Sequence, residues 1–159
     1  MRLMGLLLVY LTCFLGGRYM AEKEKQRIFC IEALLLLVRE VRRSISFSMI
    51  PLEEIYKRYD DNALAKCGFL TLLRTDGLLS AYVQKSDVFR LDSFSDLRFK
   101  VFAERVGKHP AEEEIRGCDE IDDLLSNTLE QIKKDYPVKQ KLYTALGGCL
   151  GIGAVILLL

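Results

Sequence analysis

The sequence predicts an all-α protein, a cytoplasmic helical bundle of about five to six helices flanked by an N-terminal and a C-terminal transmembrane helix. Three observations predict it. Half of the 159 residues are hydrophobic although 28% are charged, and the two kinds are segregated along the chain. All 22 acidic residues lie between Glu22 and Asp135, and every basic residue except Arg2 lies between Arg18 and Lys141. Within that charged middle, apolar residues recur at three- and four-residue steps, and no stretch alternates with period two. The domains expected are 1–21 as a membrane helix, 22–141 as the soluble helical bundle and 142–159 as a second membrane helix. The balance of acids and bases in the middle leaves no basic excess to attract nucleic acid.

The first apolar segment, 3–17, spans about 22 Å at helical rise, short of the ~30 Å hydrocarbon core. Tyr19, Met20 and Ala21 extend it if Arg18 snorkels to the headgroups. A cleaved signal peptide is the competing reading, but Arg18 stands where small residues should precede a cut. Leu11 and Thr12 before Cys13 do not fit a lipoprotein signal either. The last segment, 142–159, carries no charge and spans about 27 Å. Lys139-Gln140-Lys141 precedes it, unlike the small residues and polar spacer of a lipid-anchor signal. Basic residues gather on the loop side of both segments (Arg18, Lys23, Lys25, Arg27; Lys133, Lys134, Lys139, Lys141) and only Arg2 lies opposite. This bias predicts a two-pass protein of the cell membrane with a cytoplasmic loop and both termini outside.

A long amphipathic helix is expected over 22–47, with Ile28, Ile31, Leu34, Leu35, Val38, Val41 and Ile45 on its apolar side. Residues 34–37 are apolar all round, which implies more than one neighbour. Pro51 opens a short helix through Tyr59, with Glu53 and Glu54 where the dipole favours acids. Helices follow over 63–73 and 78–85, separated by a turn at Asp76-Gly77. Ser93 is the expected N-cap of the next helix, with Asp96 as capping-box partner. Leu97, Val101, Phe102 and Val106 form its apolar face, and Gly107 ends it. Pro110 opens the last helix, whose stripe is Ile115, Cys118, Ile121, Leu125, Thr128, Leu129 and Ile132. Pro137 should kink or interrupt it before the membrane.

The residues that bear chemistry do not assemble into a catalytic pattern. The single histidine, His109, has no ligand or base partner at a recognisable spacing. No phosphate-binding glycine loop or nucleophile elbow occurs. Catalytic, cofactor-binding and metal residues are therefore expected to be none, and the chain is expected not to be an enzyme. The acidic group Glu112, Glu113, Glu114, Asp119, Glu120, Asp122 and Asp123 reads as a solvated face that could attract a cation or a basic partner. Cys30, Cys67 and Cys118 match neither a disulfide nor a metal pattern and read as buried thiols. Arg39, Arg42 and Arg43 form a basic ridge that could dock a partner. Gly147 and Gly151 make Gly-x-x-x-Gly, with Gly148 and Gly153 beside them and Gly5, Thr12, Gly16 and Gly17 in the first segment. Such small residues let membrane helices approach closely. Gly16, Gly147, Gly148 and Gly151 are the expected packing positions, either between the two segments or against another protein.

Four stretches stand together: Ile31-Glu32-Ala33-Leu34 through Val38-Arg39-Glu40-Val41, then Pro51-Leu52-Glu53-Glu54-Ile55, then Phe102-Ala103-Glu104-Arg105-Val106-Gly107, and the most specific, the close, Lys141-Leu142-Tyr143-Thr144-Ala145-Leu146-Gly147-Gly148 with Gly151. In these stretches the chain resembles the stage III sporulation protein AB family of endospore-forming bacteria. The match is weak over 60–92; Tyr82 stands where members often carry tryptophan, and Pro137 falls in a helix the family keeps long. The resemblance implies a fold similar to the F-type platform proteins of type II secretion. It also implies a non-enzymatic platform that couples a cytosolic secretion-type ATPase to a channel between mother cell and forespore. Its implied partners are other sporulation stage III membrane proteins, the ATPase, the lipid bilayer and, in some assemblies, further copies of itself. A small membrane-anchored adaptor of another envelope process is the alternative.

Overall fold

The computed structural model describes the backbone of residues 2–47 and 50–158; the side chains of residues 1–4, 6, 7, 9 and 157–159 lie outside that description. Six helices follow one another: α1 (Arg2–Phe47), α2 (Leu52–Arg58), α3 (Asn62–Lys66), α4 (Phe69–Phe89), α5 (Ser93–Arg105) and α6 (Ala111–Leu158). Among the described residues there is no strand, so the chain is all-α as expected. Two compact units emerge, one from Met1–Gln26 with Gln131–Leu159, the other from Arg27–Glu130. Helices α1 and α6 each contribute to both.

The second unit is a helical bundle. From α1 it buries Ile31, Leu34, Leu37, Val38 and Val41, and from α6 Cys118, Ile121 and Leu125. Leu36 departs from the all-round burial expected of 34–37 and is 52% exposed. The centre is aromatic. Tyr82 lies 4.4 Å from Phe99 and 5.6 Å from Phe89, ring centroid to centroid, and Phe69 meets Phe89 edge-on at 5.5 Å. These offset and edge-on geometries are the ones aromatic quadrupoles favour. The Tyr82 hydroxyl escapes burial without a partner by donating to Asp96 Oδ1 at 2.9 Å.

Several elements differ from their sequence expectation. The predicted helices over 63–73 and 78–85 become α3 and α4, and α4 is broken in conformation only at Gly77 (φ 82°, ψ 177°). That positive φ is open to glycine and strained for other residues. Asp92, not Ser93, caps α5, accepting from Phe94 N at 3.2 Å and Ser95 N at 3.1 Å. Asp96 is therefore free of the capping box and pairs with Tyr82 and Lys100 instead. The buried face of α5 is Ser95, Phe99, Phe102 and Ala103, while Leu97 and Val101 point outward. Gly107 does follow the end of α5 with φ 86°. Pro137 does not interrupt the last helix, which runs through it from Ala111 to Leu158.

Among the described residues no helix is long and apolar enough to cross a membrane. The apolar segments 3–17 and 142–159 each include residues outside the described side chains, so the two expected membrane helices fall partly beyond that set.

Candidate functional site

The first unit is a pair of antiparallel helical segments that approach most closely at glycines. A Cβ placed on Gly147 would meet the Cys13 carbonyl oxygen at 2.9 Å and the Gly17 Cα at 3.2 Å. One placed on Gly17 would meet the Tyr143 carbonyl oxygen at 2.5 Å, and one on Gly151 the Tyr10 ring at 2.8 Å. The α1 partners Tyr10, Cys13 and Gly17 are one helical stripe, at steps of three and four. At Gly17 and Gly147 the two backbones thus touch where only hydrogen fits, and Gly151 makes room for the Tyr10 ring. Gly16 and Gly148 are placed otherwise, since nothing lies within 4 Å of a Cβ at either. On α1 the seam uses Gly17 in place of Gly16, one step round the helix.

The outside of this pair is apolar. Leu11, Leu15, Met20, Leu142, Leu146, Leu150, Ile152 and Ile156 are all exposed, Ile156 to 67%. In water the larger side chains would be expected at the seam and the small or polar ones outside. Here the order is reversed, glycine inside and leucine outside, as suits helices packed in lipid. At the charged end of the α1 segment, the Lys23 ammonium sits 5.0 Å from the Tyr19 ring centroid.

In the bundle, the three ridge arginines have different fates. The Arg39 guanidinium grips Asp122 with two bonds, of 2.5 and 3.1 Å, and reaches Ser126 Oγ at 3.4 Å. Arg42 pairs with Asp119. The carboxylates hold both guanidiniums above their ordinary range, in each case chiefly through the hydrogen bond. Arg43 instead lines an open cleft of about 750 Å³ with Leu36, Glu40, Phe47, Ile50 and Arg58. Two of the three docking candidates are therefore engaged in joining α1 to α6, and the third faces a surface that could receive a partner.

The acidic group is likewise divided. Asp119 and Asp122 serve the arginines. Glu114 is buried, and its Oε1 accepts from the backbone N–H of Gly107, Lys108 and His109 at 2.7, 3.0 and 3.0 Å. One carboxylate thus closes the α5–α6 turn. His109 accepts from Arg105 Nε at 3.3 Å and lies 3.4 Å from Glu113. These residues border a cavity of about 130 Å³ with Phe102, Gly117 and Ile121. Among the described residues no group of three His, Cys, Asp or Glu side chains could hold a metal ion.

One arrangement has no counterpart in the sequence pattern. Cys30 on α1 and Cys67 at the end of α3 share one backbone acceptor: Cys30 Sγ reaches the Ala63 carbonyl at 3.9 Å and the Cys67 N–H donates to it at 3.3 Å, while Cys67 Sγ donates to the Leu64 carbonyl at 3.2 Å. Nothing in their spacing signals this, because α1, α2 and α3 must fold back before the two share it. Cys118 lies apart, buried beside Glu114, and burial pushes its thiol up to about 12.

Comparison with protein-family models, with curated proteins and with solved structures finds no match to this chain.

Proposed function

We propose that this chain is a non-enzymatic membrane platform, a two-pass protein whose paired end segments anchor a cytoplasmic helical bundle, with both termini outside. The observation that carries the reading is the inverted packing of the end segments. Glycine lines the contact while leucine and isoleucine face outward, an order that lipid favours and water does not. The bias of basic residues toward the loop side supports the orientation. Tyr19 with Lys23 supports a boundary at the headgroups, where such amphipathic side chains settle.

The specific role proposed is that of the stage III sporulation AB family. The bundle would transmit the action of a cytosolic secretion-type ATPase to a channel between mother cell and forespore. The cleft beside Arg43 is the docking surface offered to the ATPase or to other stage III membrane proteins. Support for this role comes from the matched stretches at 31–41, 51–55, 102–107 and 141–151, and it is a resemblance of sequence.

Deletion and affinity capture test it together. Removing the chain should block spore formation, and a tagged copy in sporulating cells should retain a secretion-type ATPase. Normal spores would overturn the sporulation role. Vegetative expression, with a defect in some other envelope process, would favour the alternative of an adaptor working elsewhere through the same bundle.

A further inference from the structure

The glycine contacts fix the register of the two end segments. Gly17 lies against the Tyr143 carbonyl, and Gly147 against that of Cys13. In this antiparallel pair Arg18 therefore stands level with about residue 142 of α6. Lys141 and Lys139 stand level with about residues 19 and 21 of α1, just before Lys23. Four cations from two helices thus share about 8 Å of axial height. Glu22 is the one carboxylate at that height, so four positive charges stand against one negative. Arg18, Lys23 and Lys141 are exposed and Lys139 is half-buried. Among the described residues none of the four forms an ion pair. Two tyrosines mark the same height, Tyr19 from α1, 63% exposed, and Tyr143 from α6. Toward the chain ends, 3–17 and 142–159 hold no charge. A collar of cations and aromatic rings therefore borders an apolar surface, the combination that the headgroup layer of a bilayer collects.

We propose that this collar binds anionic phospholipids, whose headgroup phosphates supply the counter-charge that the chain itself lacks at that height. The inference rests on the membrane reading above and adds the lipid class to it. A phosphodiester is the anion available at the edge of an apolar surface. Each lysine or arginine there strengthens the attraction of an acidic lipid by about fivefold. A phosphatidylcholine headgroup brings its own cation, so a positive collar gains little from it. Arg18 offers a planar fork to two phosphate oxygens, and the lysines act as point charges. Because the cations come from both segments, the bound lipid joins α1 to α6 beside the glycine seam.

The test is to place the full chain in vesicles of equal phosphatidylglycerol and phosphatidylcholine and extract it in mild detergent. The lipids that stay bound are then quantified by mass spectrometry. Phosphatidylglycerol should exceed phosphatidylcholine by about fivefold or more. Arg18→Gln, Lys139→Gln and Lys141→Gln combined should bring the ratio near one. Arg18→Lys, Lys139→Arg and Lys141→Arg combined keep the charge and should keep the preference. Lys57→Gln, Lys66→Gln and Lys108→Gln combined remove equal charge from the bundle and should keep it too. Raising salt from about 0.1 M to about 1 M should erase the preference, as the Debye length falls from about 10 Å to about 3 Å. Equal binding of the two lipids by the wild type would overturn the inference and leave the membrane reading standing. A ratio unchanged in the first triple variant would overturn the collar as the site. Inorganic phosphate that strips the lipid more than sodium chloride of equal ionic strength would make free phosphate the ligand and overturn the lipid. A chain that alkaline carbonate washes from the vesicles would overturn both readings. If the first triple variant does not fold, the wild-type ratio and its salt dependence decide.

Discussion

Removing the carboxylate of Asp96 should leave the Tyr82 hydroxyl buried with no acceptor, because that bond of 2.9 Å is its outlet from the aromatic core. Asp96→Ala should therefore cost about 1–3 kcal/mol in urea denaturation. Tyr56 is the opposite case. Its hydroxyl is buried and has no partner among the described residues, so Tyr56→Phe should be neutral or raise stability by up to about 1 kcal/mol. The Asp92 and Asp96 carboxyls are both held below the usual carboxylate range, the first mainly by Ser95 and the second mainly by Lys100. A depressed folded value contributes stability above the unfolded value of about 3.9, and that stability is lost as pH falls through the folded value. Urea midpoints should therefore stay level above about pH 5 and decline below about pH 4. These partnerships were only partly legible in sequence. Asp92 and Ser93 are both good N-caps, and residue type alone does not choose between them. The choice follows from Tyr82, which claims Asp96 and removes the capping box that would have favoured Ser93.

Helix α5 illustrates why periodicity found an element and missed its face. Two stripes satisfy three- and four-residue spacing, one through Phe94, Leu97 and Val101, the other through Ser95, Phe99 and Phe102. The aromatic cluster on α4 selects the second, a tertiary decision that no local pattern contains. Phe99→Ala should cost about 3–5 kcal/mol, whereas Leu97→Ala should fall within about 0.5 kcal/mol of wild type. Helix α6 passes through Pro137 because residue 137 is exposed, so water can serve the carbonyl one turn back. Pro137→Ala should raise stability by up to about 3 kcal/mol, seen as slower amide exchange around residues 136–141. The link between α1 and α6 through Arg39 and Asp122 is half in solvent. A double-mutant cycle on that pair should give a coupling of about 1 kcal/mol or less that fades with added salt.

At the scale of the molecule, the division into charged middle and apolar ends was visible in composition, while the two compact units divide elsewhere, after Gln26 and after Glu130, so that the first unit takes in charged residues such as Lys23 and Lys133. The glycine motif was visible too, although the choice of Gly17 over Gly16 depends on helix rotation that spacing does not define. Gly147→Leu should lower the thermal midpoint in detergent by the equivalent of about 1–3 kcal/mol through overpacking. Gly148→Leu, with open space at its position, should leave it nearly unchanged. That Cys30 and Cys67 approach one carbonyl, that of Ala63, was illegible, because it follows from helices folding back on one another.

The membrane platform stands or falls on topology. A cytoplasm-active reporter and an export-active reporter should each be fused at Asp61 and at Leu159 of the full chain. The account predicts cytoplasmic signal at Asp61 and exported signal at Leu159. Cytoplasmic signal at both positions would contradict it, because the last segment would then not cross, and the glycine seam would be the contact of a helix pair outside the bilayer.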